Sequence, residues 1–229
     1  KKSDWLNFKE ILLSKIENHN LNILVDGDAG SGKSVFAIKL VQYMIKKVVN
    51  EISTIKKGNT QKNVKAPILL TATSLKNGNI KNLNKMINDY YIDASFIIEP
   101  SLLIIDGLDE VAKIDRENIL TEVKAFSKDK CSLIITSRKS ADIKNLLQSF
   151  IQYELLEFES SQVINFIKAI LKGNDTLINS LIKGIEHLKN QIPMYPMSLS
   201  LLIEIAQTQK EVPASISELY SRYIELVIR

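Results

Sequence analysis

The chain is poor in the residues that build metal and redox centres. It has one cysteine, Cys131, so no disulfide framework forms, and a reducing compartment such as the cytoplasm fits. Its two histidines, His19 and His187, stand far apart, and with one cysteine they leave no zinc site. Arginine is scarce: Arg116, Arg138, Arg222 and Arg229 are the whole set, so the net charge of +4 is carried by lysine. Such a surplus reads as a solvated surface and does not by itself argue for nucleic acid, a partner this reading does not favour. No apolar run is long enough to span a membrane, and no signal peptide opens the chain. The sequence starts without methionine at Lys1-Lys2-Ser3 and stops inside a helical pattern at Ile228-Arg229, which reads as a fragment of a longer protein. Cys131, beside an apolar run, reads as a small buried residue.

What is present is a normal core-forming composition, 45% hydrophobic and 24% charged over 229 residues. Within it one stretch stands out, Leu21 to Ser34, LNILVDGDAGSGKS. A short apolar run leads through Gly27, Asp28, Ala29, Gly30, Ser31 and Gly32 to Lys33, Ser34 and Val35, where a helical pattern begins. Gly27-x4-Gly32-Lys33-Ser34 is the spacing of a phosphate-binding P-loop. Glycines let the backbone approach an anion. The loop and first-turn N–H groups then point at phosphate, reinforced by the helix dipole. Lys33 supplies a point charge for the β- and γ-phosphates, and Ser34 a hydroxyl ligand for Mg²⁺.

Around this loop, strands and helices alternate, which predicts an α/β fold with a five-stranded parallel sheet. Asp4 caps a first helix with Trp5, Phe8, Leu12 and Ile16 on its apolar face. Strands are expected at about 21–26, 68–71, 102–105, 132–136 and 152–156. Helices are expected at about 33–49, 80–91, 116–128 and 141–149. The helix after the P-loop is apolar almost all round, as for one buried against the sheet. Residues 50–66, rich in Lys, Asn and Thr, read as an exposed loop, with Pro67 starting the second strand. After Phe158 only helical patterns remain, at 160–172, 175–190, 197–208 and 215–228, punctuated by Pro193, Pro196 and Pro213. The expected organisation is a nucleotide-binding domain over 1–158 and a small all-helical subdomain over 159–229.

A P-loop needs a carboxylate for its metal. Leu102-Leu103-Ile104-Ile105 places Asp106 at the C-terminal end of a strand covered on both faces, where open α/β sheets bind ligands. Asp106 would hold Mg²⁺ together with Ser34. Asp109 and Glu110 follow; one would orient or deprotonate the attacking water, with Glu110 the first choice. The next strand ends in Thr136-Ser137-Arg138, and Arg138 offers a fixed-charge donor to a γ-phosphate.

Asp106-Gly107-Leu108-Asp109-Glu110 after four apolar residues resembles the Walker B run of NACHT-type NTPases of the STAND class. Thr136-Ser137-Arg138 resembles their sensor 1. Pro196, in Ile192 to Leu199, resembles the helical-domain proline that packs near the adenine, and Glu218-Leu219-Tyr220 their Leu-Tyr helix. The winged-helix domain expected next, with its phosphate-touching histidine, is missing, as are an effector domain and a sensor repeat. The resemblance implies a cytoplasmic ATP/ADP switch with slow, regulatory hydrolysis. Such a switch forms a homo-oligomer on activation by a trigger sensed outside this fragment. Bacterial relatives act in antiphage defence, with a phage protein as one such trigger. It is also what favours ATP over GTP, together with the lack of a guanine-reading Asn-Lys-x-Asp. Two other readings share these motifs. One is an AAA+-like motor or loader, for which Arg116 is a weak candidate for an arginine reaching a neighbour's site. The other is a slow ATP-dependent assembly scaffold.

Overall fold

The computed structural model describes residues 12–16, 21–54, 62–75, 96–128, 130–188, 191–209, 211–213 and 215–228. Of the expected first helix, residues 12–16 are helical, with Leu12 and Ile16 buried. Asp4, Trp5, Phe8 and the expected helix at 80–91 lie outside the described residues. The chain divides into two compact units, one of residues 1–28 and 33–154, the other of residues 29–32 and 155–229.

The first unit is built on five strands, β1 (Asn22–Asp26), β2 (Lys62–Thr71), β3 (Phe96–Asp106), β4 (Ser132–Ser137) and β5 (Ile151–Glu154). All pair in parallel in the order β2-β3-β4-β1-β5. Helices α1 (Lys33–Thr54), α2 (Lys113–Ser127) and α3 (Ala141–Leu146) join them. Leu102, Leu103, Ile104 and Ile105 are each 0% exposed, as a strand covered on both faces requires. Successive strand residues face opposite ways. Leu103 and Ile105 of β3 and Leu133 and Ile135 of β4 share a core with Ile119, Val123 and Phe126 of α2. Burying each such side chain contributes about 1.5–3 kcal/mol. Ile104 pairs with Ile134 and Ile105 with Ile135, so Asp106 and Thr136 come abreast at the carboxyl ends.

Three expectations are corrected here. Residues 50–66 are not one exposed loop: α1 continues to Thr54 and β2 begins at Lys62. Val64 and Ala66 are buried and Lys65 exposed, a two-residue alternation too short to stand out among lysines that suit an edge strand. Pro67 does not start β2 but lies within it, where the β2–β3 register shifts: Ala66 pairs with Pro100 and Pro67 with Leu102, leaving Ser101 as an extra residue. The Ser101 hydroxyl is shielded from solvent and, among the described residues, has no hydrogen-bond partner. Third, α1 buries one side only. Phe36, Ala37, Leu40 and Met44 are packed, while Val35, Ile38, Tyr43, Ile45 and Val49 are exposed.

The second unit holds helices α4 (Ser160–Ile170), α5 (Asp175–Leu188), α6 (Pro196–Gln209) and α7 (Ile216–Ile228) around Ile167, Leu181, Leu199, Leu202 and Leu219. Each helix start is chemically marked. Glu159 and Gln162 form a capping box on α4. The Asn174 side chain accepts from the Leu177 N–H at 3.2 Å, and the Ser215 hydroxyl accepts from the Glu218 N–H at 3.2 Å. Pro196 is the first residue of α6, where its missing N–H costs nothing. No helix among the described residues is long and apolar enough to cross a membrane.

Candidate functional site

β1 delivers the chain to its carboxyl end and α1 takes it away from Lys33, so residues 27–32 form the connecting loop. Gly30 and Gly32 have φ of 76° and 97°, the left-handed region that costs other residues about 1–2 kcal/mol. Lys33 Nζ donates to the carbonyls of Gly27 at 2.8 Å and Asp28 at 2.9 Å. Burial lowers the lysine's pKa, opposed most by the charge of Asp109. Ser34 follows on the exposed first turn, as does Val35, whose 58% exposure gives it no packing role there. Within the second unit, which includes residues 29–32, a Cβ added to Gly32 would lie 3.6 Å from Pro196.

Opposite Lys33 in charge stands the end of β3. Asp106 Oδ1 accepts a hydrogen bond from the Thr136 hydroxyl, which in turn accepts from the Gly107 N–H at 2.9 Å. A 3-10 turn over Leu108–Glu110 follows, entered through Gly107 at φ 76°. Asp109 accepts from the Arg138 backbone N–H at 2.8 Å, and its other oxygen lies 3.2 Å from the Arg138 Nε. Asp109 is thus the bridge between the acidic strand end and the end of β4, while Glu110 is exposed. Arg116 does not reach outward. Its guanidinium donates to the carbonyls of Val111 and Asp109, each at 2.9 Å, and so staples its own turn. That removes it as the outward-reaching arginine considered above.

Sequence reasoning passed over three residues. Thr136 was noted as the first residue of the run resembling sensor 1, with no role of its own. Lys139 bridges Asp28 at 3.1 Å and Glu154 at 2.9 Å, and those hydrogen bonds, Glu154 first, hold its pKa above the ordinary value. Lys144 Nζ lies 3.0 Å from the buried Asp26 carboxylate, at ion-pair distance but outside hydrogen-bond geometry. Asp26 and Asp28 flank Gly27 in the sequence, but nothing local to them names the lysines that pair with them.

The donor set suits magnesium. Among the described residues no group of three or more His, Cys, Asp or Glu side chains could hold a metal ion unaided. Mg²⁺ in nucleotide sites takes one or two protein oxygens and completes its shell with phosphate and water. Ser34 and Asp106 are the residues that would hold it.

The family model of the NACHT domain matches residues 21–174, more than half of the chain. The chain belongs to the NACHT family. The family is one of P-loop NTPases, which bind nucleotide, generally with Mg²⁺, and hydrolyse it. No curated protein matches this NACHT chain. Solved structures do, and they share its fold. PCH-2 of C. elegans is 13% identical with a TM-score of 0.51, over 97% of this chain and 69% of that one. The replication initiator DnaA, bound to AMPPCP and single-stranded DNA, is 14% identical with a TM-score of 0.52, over 90% and 62%. A DNA replication initiation factor is 15% identical with a TM-score of 0.50, over 88% and 59%. This chain thus spans roughly 60 to 70% of the length of those structures.

Proposed function

We propose that this NACHT chain is the nucleotide switch of a larger sensor. In this reading it stores ADP at rest, exchanges it for ATP when a trigger is sensed elsewhere, oligomerises, and hydrolyses slowly to reset. The setting we favour is bacterial antiphage defence in the cytoplasm, with residues 1–158 as the nucleotide-binding domain and 159–229 as the helical subdomain.

The observation that carries the reading is the Asp109–Arg138 pairing. A γ-phosphate is the natural competitor for the Arg138 guanidinium, because both offer it anionic oxygens. An arriving ATP would take the guanidinium and leave Asp109 to its backbone bond, whereas ADP would leave the pair intact. A switch works only if the two nucleotides favour different states. A charge-assisted hydrogen bond contributes about 1.5–3 kcal/mol, so one or two such contacts discriminate by a factor of roughly ten to several hundred. Lys33 would hold the β- and γ-phosphates, Ser34 and Asp106 the magnesium, and Glu110 the attacking water. Pro196 would pack near the adenine. Bound Mg²⁺ would neutralise charge developing on the phosphates.

The test is the nucleotide released on denaturing the purified protein, with Lys33→Ala as control. Near-stoichiometric ADP that the variant lacks is the expected result. No bound nucleotide together with rapid ATP turnover would overturn the switch in favour of a motor. ATP retained without measurable hydrolysis would favour a scaffold.

A further inference from the structure

The hydroxyl of Thr136 lies at the carboxyl end of β4, the central strand of the sheet. The side chain is 0% exposed, abreast of Asp106 across β3 and β4. Its oxygen accepts from the Gly107 N–H at 2.9 Å and donates to Asp106 Oδ1. A threonine hydroxyl has one proton, and here that proton is committed to the carboxylate while a lone pair serves the backbone. The rotor therefore has one arrangement. It turns one carboxylate oxygen of Asp106 toward β4 and leaves the other as the oxygen a metal would use. The same hydroxyl anchors the first residue of the turn that carries Asp109 and Glu110. The hydroxyl is committed to Asp106 and Gly107, and it would act through them.

We propose that Thr136 is a positioning residue that sets the Asp106 carboxylate for magnesium, an inference that rests on the nucleotide-switch reading above and deepens it. Groups that orient a metal-bound carboxylate behave this way in general, and losing one costs about 10–100-fold in metal affinity or activity. Valine matches threonine in shape and branching and puts a methyl in place of the hydroxyl, so Thr136→Val removes both hydrogen bonds with little change in volume. Serine keeps the hydroxyl.

The experiment uses the full 229-residue chain and a fluorescent N-methylanthraniloyl-ATP as probe. Binding is measured in EDTA and then titrated with Mg²⁺ for the wild type, Thr136→Val, Thr136→Ser and Lys33→Ala. Thr136→Val is expected to raise the half-saturating Mg²⁺ concentration by about 10–100-fold while its affinity in EDTA stays within about twofold. Thr136→Ser is expected to return the magnesium response to the wild-type range. An unchanged Mg²⁺ response in Thr136→Val overturns the inference, as does equal weakening with and without magnesium, which marks a packing effect. If valine does not fold, Thr136→Cys takes its place: a thiol is a weak donor, and a rise of at least about threefold is expected, with no rise overturning the inference. Indistinguishable binding by wild type and Lys33→Ala would instead remove the switch reading, and this inference with it.

Discussion

At the C-terminal end of β3 the backbone of Gly107 sits at φ 76°, and a Cβ built there would lie 2.9 Å from the carboxyl carbon of Glu110. The left-handed conformation alone costs a side-chain-bearing residue about 1–2 kcal/mol. The contact adds little strain, because the Glu110 carboxyl is the far end of a flexible side chain. Its cost is positional: the carboxylate must move. Gly107→Ala is therefore expected to lower stability by about 1–2 kcal/mol in urea titrations and ATP turnover by at least about tenfold, part of the roughly 10²–10⁴-fold that a well-placed acid–base group contributes. A folded alanine variant with full turnover would show that the position of Glu110 is not used. Cys131 makes the contrasting case. It is buried, and burial pushes its thiol up to about 11, so it is no nucleophile at neutral pH. At this scale the sequence was most legible where one residue type has one use. The P-loop pattern, Asp106 and Arg138 stood out as candidates because the chemistry expected of them is local to their motifs. Thr136 and Lys139 were not, because their partners lie 30 and 111 residues away and no local pattern encodes that pairing.

Elements are governed by what packs on them, which sequence periodicity only partly reports. The α1 pattern, apolar all round, does not say which apolar side chains meet the sheet. The β2 residues Lys62 and Lys65 suppress a strand signal that pairing with β3 overrides. The four later helices were legible because α4, α5 and α7 each have a clear apolar stripe and α6 is a long apolar run that Pro196 opens. Within α5, Gly184 is a mid-helix glycine that a propensity argument alone would replace. A Cβ there would lie 2.5 Å from Val212 Cγ1 and 3.0 Å from Val212 Cβ, too close for rotation of the valine to relieve. Alanine gains about 1 kcal/mol of helix propensity and loses about 1–3 kcal/mol to overpacking. Gly184→Ala is accordingly expected to shift the urea midpoint followed by circular dichroism downward, and Val212→Ala added to it to recover part of the loss. An increase in the midpoint would show that the connection between α6 and α7 yields freely.

For the whole molecule, alternating strands and helices revealed a parallel sheet, but nothing in the chain announced the order β2-β3-β4-β1-β5. That order follows from long-range pairing, and it is what brings the ends of β1, β4 and β3 side by side. Ligand binding to such a site should be felt globally. At a hundred times its dissociation constant a ligand adds about 2.7 kcal/mol to the folded state. For a chain of this size, about 2–4 °C per kcal/mol, Mg·ADP is expected to raise the melting temperature by roughly 5–10 °C. The Lys33→Ala protein should show no shift; an equal shift would place the nucleotide elsewhere. The extra residue at Ser101 has a mechanical meaning at this scale. Lys62–Ala66 keeps one alignment with β3, and Pro67–Thr71 keeps another that runs without a break to Asp106. The bulge works as an expansion joint between the polar outer half of the edge ribbon and its inner half. A residue gained or lost in the outer stretch is expected to be taken up there, leaving the Asp106 carboxylate where the inner register with Thr71 holds it.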